Sequence, residues 1–365
     1  MTKPNTYLEI DLAAIRQNVL EIKKRIHPRV LAVVKSNAYG HGAVEVVKAL
    51  NDLVVGFMVD NVSEAMEIKA VATQPILVML ANRQDDIEVL TKNKIAFALF
   101  DFYQLAIIKA VSEKLSRPIN VHLKIDTGMN RLGFKERDWL HLEKELAKHQ
   151  DYLKITGIFS HFVQVSDVEA STSQQVVMKK ALEFFKENLG EDCLSHFSAS
   201  DASVNYGQSN CEALRPGALL YGYNSNPVSW LKPALALKTH IVQLKWIEPG
   251  EAVGYDRLFK PVKKTLIGIM PVGYKDNFSR RMTFVNPKGI IDGQIYPVVG
   301  RVCMRFSFID VTKIADKIKV GETVTLLGKE NQAKIDASDW AEKLDTTFYE
   351  ILAQFPRDLP RIYLK

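Results

Sequence analysis

Through the first two-thirds of this chain, short apolar runs alternate with stretches of helical periodicity, and turn residues separate them. No other feature restricts the fold as strongly. The runs cover residues 30–34, 54–59, 76–80, 95–99, 119–125, 155–159, 194–198 and 218–221. Helix-like stretches lie between them at 43–50, 63–71, 103–115, 136–148 and 174–188. Eight strands alternating with helices predict a (β/α)8 barrel, while the pattern by itself leaves a doubly wound sheet open, because periodicity does not report whether a sheet closes.

The rhythm breaks near Asn226-Pro227 and Lys232-Pro233. Prolines cluster there and helical spacing stops, so a barrel over residues 1–232 and a smaller, mainly β domain over 233–365 are expected. Strands are expected at 237–246, 265–270, 290–302, 306–311 and 323–327, then a helix at 346–354 and a short tail at 360–365.

Composition narrows the class of partner. The 48 Lys+Arg exceed the 42 Asp+Glu by only 6, and the basic residues are scattered, which argues against a nucleic-acid binder. No stretch approaches the roughly 20 apolar residues of a membrane span. The start, MTKPNTYLEIDLAA, lacks a signal-peptide pattern, so a cytoplasmic protein is expected. Cys193, Cys211 and Cys303 are far apart and form no CxxC pair. They predict buried free thiols rather than disulfides or a metal site.

Polar residues recur where the apolar runs end. Residues 30–34 lead into Lys35 and a glycine-containing turn, Ser36 to Gly42, that enters a helix. A strand-end lysine sits at the active face of a barrel, where a partly desolvated amine can form a Schiff base with an aldehyde cofactor. Taken alone, such a lysine is more often simply solvated. Lys124-Ile125-Asp126-Thr127-Gly128 with Arg131, Ser160-His161 and Ser198-Ala199-Ser200 end other runs in the same way. Barrel closure would gather them around one mouth, where Arg215-Pro216-Gly217-Ala218 could bring backbone amides to a phosphate. Neither a Walker loop nor a GxGxxG follows a strand.

The run AVVKSNAYGHG at residues 32–42 resembles the pyridoxal-phosphate (PLP) attachment signature of the alanine racemase family. Seven further blocks occur in the family's order: KIDTGMNRLGF, SHF, RPGALLYG, GYDRLF, PVGYKDNFSR, GRVCM and YEIL. The resemblance spans essentially the whole chain. It implies a PLP-binding barrel followed by a β-rich domain, working as a homodimer on L- or D-alanine to supply D-alanine for peptidoglycan. Lys35 would hold PLP as a Schiff base and act as the base for one enantiomer. Tyr255 of the partner subunit would serve the other face. Arg215 would face the pyridine nitrogen, and His161 would tie Arg215 to Tyr255. Arg131 would touch cofactor and substrate carboxylate, and Lys124 matches a lysine often carbamylated in relatives. Tyr39, Ser200, Tyr349 and the amides of Gly217 and Ala218 match the phosphate-binding set. Tyr274 resembles a gate residue, and the Met304 backbone a substrate carboxylate contact.

Departures from the family pattern bear on substrate range. Arg305 replaces the usual aspartate, Ala199 an asparagine and Asn277 a glycine, and DLPR at 358–361 stands where RVPR is typical. A serine or broad-specificity racemase, a non-catalytic PLP-binding protein and a decarboxylase of the same fold type are the alternatives. The tyrosine blocks around Tyr255 and Tyr274 count against the last two.

Overall fold

A computed structural model describes residues 4–190 and 192–365. Two compact units form. One comprises Ile15–Ala38 and Ala43–Lys232; the other comprises residues 4–14, Tyr39–Gly42 and Pro233–Lys365.

After a first strand, β1 (Thr6–Asp11), the chain builds a closed parallel barrel from β2 (Arg29–Val33), β3 (Gly56–Val59), β4 (Ile76–Val78), β5 (Ala96–Leu99), β6 (Ile119–Lys124), β7 (Leu153–Phe159), β8 (Leu194–Ala199) and β9 (Ala213–Arg215). Pairing of Arg29 with Ala213 and Val30 with Leu214 shuts the ring, so the open-sheet alternative is excluded. The strands read as continuous apolar runs because both faces are covered. All four residues of β3 are buried.

The eighth strand lies earlier than its expected position at 218–221, which forms a 3-10 turn, Ala218–Tyr221. Pro216 has no N–H to give a ladder, and Gly217 at φ −112°, ψ −81° turns the chain out of extended geometry. Two helices also begin before their apolar periodicity shows. Val62–Lys69 starts at an Asn61 cap that accepts the Glu64 N–H, and Val168–Phe184 at an Asp167 cap that accepts the Ala170 N–H.

The other unit is a ten-stranded sheet. It adds β10 (Leu235–His240), β11 (Gln243–Ile247), β12 (Thr265–Met270), β13 (Lys288–Ile291), β14 (Gln294–Val299), β15 (Ser307–Asp310), β16 (Thr323–Glu330), β17 (Ala333–Ile335) and β18 (Arg361–Leu364). Its order is β11-β12-β15-β14-β13-β16-β10-β1-β18, with β17 on β16. The expected tail at 360–365 is therefore largely strand, parallel to β1, which on its other side pairs antiparallel with β10. The single strand expected over 290–302 is a hairpin. Asp292 and Gly293, at φ 48° and 71°, supply the two left-handed residues of a tight turn.

The three cysteines are free. Only Cys211 is fully buried; Cys193 and Cys303 are partly exposed, which corrects the expectation of three buried thiols. Among the described residues, no helix is long and apolar enough to cross a membrane.

Candidate active site

Parallel strands closed into a barrel end at one rim, and the residues singled out at strand ends meet there. Lys35 follows β2, Lys124 ends β6, Ser160 and His161 follow β7, Ser200 follows β8, and Arg215 ends β9.

The turn after Lys35 is unusual. Ser36, Asn37, Ala38 and Tyr39 have φ of 52°, 54°, 54° and 51°, and Gly40 continues at 80°. Among the described residues no other left-handed run of non-glycine residues exceeds two. Each such residue costs about 1–2 kcal/mol, so polar anchors must hold the turn. The Ala38 N–H donates to Val34 O at 2.9 Å. Glu64 Oε1 accepts the Ser36 N–H at 2.8 Å, and Asn37 Oδ1 accepts the Ala43 N–H at 2.9 Å. Lys35 Nζ lies 3.4 Å from Asp60 Oδ1, and its side chain is about one-third exposed.

Cationic groups gather at the ends of β6 and β9. Arg215 is buried, and its Nη2 donates to the carbonyls of Ser160 and Phe197, with His161 Nδ1 at 3.4 Å. Its Nε has no hydrogen-bond partner among the described residues. Burial brings its pKa down to about 10, which still leaves the guanidinium charged at neutral pH. Lys124 donates to Ile125 O at 3.0 Å and lies over the Phe159 ring, as Arg215 does. Burial, with Arg215 nearby, brings the Lys124 amine down to about 7. The same causes hold His161 well below the ordinary histidine range, so its imidazole is neutral.

Neutral groups brace this rim. The Thr127 and Ser160 hydroxyls meet at 2.8 Å. The buried Gln174 amide donates to Thr127 Oγ1 and to His161 O, both at 3.0 Å, and accepts the Val163 N–H. Ser200 Oγ accepts the N–H groups of Gly217 and Leu219 at 3.0 and 3.3 Å. Arg131 is exposed and has no ion-pair partner among the described residues. Below the rim, His122 Nδ1 meets His196 Nε2 at 2.8 Å. Gly157 leaves room for this pair, since a Cβ there would stand 2.3 Å from the His122 ring. Neither the two histidines nor Glu64 and Gln174 stood out in the sequence, whereas Thr127 lies in the strand-end run that did. The missed residues each lie inside a helix or strand pattern, and only the unusual pair of histidines in apolar strands carries a signal.

In the sheet unit, Tyr39 and Tyr349 approach with ring centroids 6.2 Å apart. Tyr255 opens a short turn after Gly254 and is 69% exposed. Tyr274 and Met304 are 42% and 58% exposed. The Tyr274 N–H donates to Cys303 O, and the Lys275 N–H to Met304 O, both at 3.1 Å. Gly273 permits this approach, because a Cβ would stand 2.1 Å from Cys303 O. Asn277 occupies a left-handed position, φ 69°, where glycine is usual, and its side chain donates to Ile351 O at 2.7 Å. Arg305, also exposed, lines a cavity of about 420 Å³ with Lys275, Asp276 and Asp358. Lys275 pairs with Asp358 at 2.8 Å.

Residues 10–225 match the family described as alanine racemase, N-terminal domain, and residues 234–363 match alanine racemase, C-terminal domain. The chain belongs to the alanine racemase family. It is an enzyme of the isomerase class, as that family is. An alanine racemase of Clostridium novyi is 36% identical over 98% of this chain and 95% of its own length. The structure of the Clostridium difficile alanine racemase superposes with a TM-score of 0.91 at 31% identity, covering 100% of this chain and 97% of that one. That of Bacillus anthracis, solved with bound L-Ala-P, gives 0.89 at 28% identity over 100% and 96%.

Proposed function

We propose that this protein is a cytoplasmic, homodimeric alanine racemase that interconverts L- and D-alanine with PLP and supplies D-alanine for peptidoglycan. Membership of the family is the observation that carries the reading.

The residues at the barrel rim fit the cofactor. Arg215 offers a buried Nε–H that lacks an acceptor, which suits an unprotonated ring nitrogen. Ser200 and the loop through Gly217 and Ala218 form a polar cradle for a phosphate, to which the family resemblance adds Tyr39 and Tyr349. Lys35 carries the amine for its aldehyde. When bound, PLP supplies an electron-withdrawing ring that stabilises negative charge at the substrate α-carbon.

Inverting a stereocentre through a planar carbon needs a proton acceptor on one face and a donor on the other. In our reading the Lys35 amine removes or returns the proton of D-alanine, and the Tyr255 hydroxyl of a second subunit does so for L-alanine. Exposure of Tyr255 supports this: its hydroxyl is open to a partner rather than buried in a core. A charged Arg215 beside a neutral His161 would hold the ring nitrogen of bound PLP unprotonated, and so would limit charge build-up there and side reactions. His161 passes this orientation on to Tyr255. Arg131, exposed and without an ion-pair partner, binds the substrate carboxylate together with the Met304 backbone. Tyr274 gates the approach.

Lys124 is proposed to be carbamylated. An amine with pKa about 7 is substantially neutral at physiological pH, so its nitrogen can attack carbon dioxide, forming an N–C bond and releasing a proton. The resulting anion would hold Arg131.

The test is solvent-deuterium incorporation at the α-carbon of L-alanine, D-alanine and L-serine by the PLP-loaded protein, with product chirality read together. Rapid exchange with inversion for alanine and little for serine supports the proposal. Comparable exchange of serine moves the assignment to a broad-specificity racemase, and no exchange to a PLP-binding protein.

A further inference from the structure

We infer that Glu64 is a positioning residue for Lys35, its carboxylate holding in place both the backbone that carries this amine and the backbone that carries the amine's ionic partner. The inference rests on the reading of Lys35 as the attachment lysine and adds to it a residue outside the family motifs quoted above.

Asn61-Val62-Ser63-Glu64 reads as a capping box, in which the glutamate would reach back to the amide of the capping residue itself. Half of that box forms: Asn61 Oδ1 accepts the Glu64 N–H at 3.0 Å. The Glu64 carboxylate goes elsewhere. Its Oε2 accepts the Asp60 N–H at 3.0 Å, and its Oε1 crosses to the neighbouring strand end to accept the Ser36 N–H at 2.8 Å. Ser36 follows Lys35 and opens the left-handed run, while Asp60 bears the carboxylate 3.4 Å from Lys35 Nζ. Glu64 has no ion-pair partner among the described residues, so these amides are what its charge serves. Hydrogen bonds to an ionised acceptor are the stronger kind, which suits a turn that the chain would not adopt unaided.

Glutamine at this position keeps the length but has one acceptor oxygen, and its NH2 cannot accept the second amide. In the PLP-loaded Glu64→Gln protein, amide hydrogen exchange should accelerate about ten-fold at residues 35–38 and 59–61, with the rest of the barrel unchanged. For alanine, kcat should fall about ten-fold while KM moves less than about two-fold, and the pH midpoint of the cofactor absorbance at Lys35 should shift. Glu64→Asp, which keeps both acceptors, should recover part of each change. Faster exchange spread evenly over the barrel, or an unchanged kcat and pH midpoint, would overturn the inference by making Glu64 a structural cap only. Wild-type protein without α-deuteration would instead indict the racemase assignment, and the local exchange pattern would still report on the clamp.

Discussion

The two units present their candidate residues in opposite ways. At the barrel rim Arg215 and Lys124 are 4% and 3% exposed, and neighbouring carbonyls and rings hold them. In the sheet unit Tyr255, Tyr274 and Met304 are 69%, 42% and 58% exposed. The rim is preorganised within one chain, at the expense of burying cations that nothing neutralises fully. The tyrosines are carried on short turns that Gly254 and Gly273 open, and their side chains stand partly or largely in solvent. Buried, held charge in one unit and exposed aromatic groups in the other give the proposed sharing of the site between two copies of the chain a physical contrast to test.

The sharpest way to break this contrast is to separate the two proposed proton carriers, Lys35 and Tyr255. Tyr255→Phe should retain the cofactor and its absorbance yet lose about 10³-fold in racemisation, within the range for removing a general acid–base group. Mixed with inactive Lys35→Ala chains it should recover about one quarter of wild-type activity, because half of randomly formed symmetric dimers are mixed and each has one intact site. No recovery with mixed dimers present would put both bases in one chain.

A second test addresses the packing beneath the rim. Gly157→Ala drives a methyl into the buried His122 ring, and His122 cannot retreat without leaving His196. Destabilisation of about 3 kcal/mol is expected from chemical denaturation, at the upper end for an overpacked core. A change below about 1 kcal/mol would show the barrel interior to be loose, and its preorganisation overstated.

The third prediction concerns Lys124. Its folded pKa of about 7 lies below the value in an unfolded chain, so the unfolded state binds more protons between those two values. Stability should therefore rise as pH increases from about 7 towards 10, by on the order of 2 kcal/mol in CO2-free buffer, and Lys124→Gln should lack this increment. Adding ¹³C-bicarbonate should raise stability at neutral pH and give a carbamate signal by NMR. Absence of both would leave Lys124 a plain buried amine.

Much of the barrel was legible because parallel strands covered on both faces leave an unmistakable apolar run, and seven of the eight expected runs contain or overlap a barrel strand. The eighth was displaced because Ala218–Tyr221 is as apolar as a strand while its geometry is set by Pro216 and Gly217 before it. Reading residues 360–365 as a tail missed β18, since a four-residue edge strand announces itself only through its partner, β1, over 350 residues earlier. Strand-end residues of the rim could be picked from the sequence because a barrel converts position along a strand into position around a mouth. The left-handed turn at Ser36–Tyr39 could not be. None of its four residues is glycine, and the carboxylate that anchors it is 28 positions away from Ser36.

Arg305 offers the smallest test and bears most directly on the exposed side of the comparison. It follows Met304, is exposed, has no ion-pair partner among the described residues, and lines a cavity where Lys275 is already matched by Asp358. An exposed charge acts at a distance and is screened over about 10 Å at 0.1 M salt. Arg305→Asp should therefore change kcat/KM for alanine by about three-fold at low ionic strength, mainly through KM, and converge on wild type as salt approaches about 0.5 M. A competing dicarboxylate inhibitor should weaken more than alanine does, because it carries the additional negative charge that the guanidinium attracts. If instead kcat fell more than about ten-fold and stayed low in salt, Arg305 would have to stand against the reacting groups themselves, and the sheet unit would contribute preorganised charge as the barrel does.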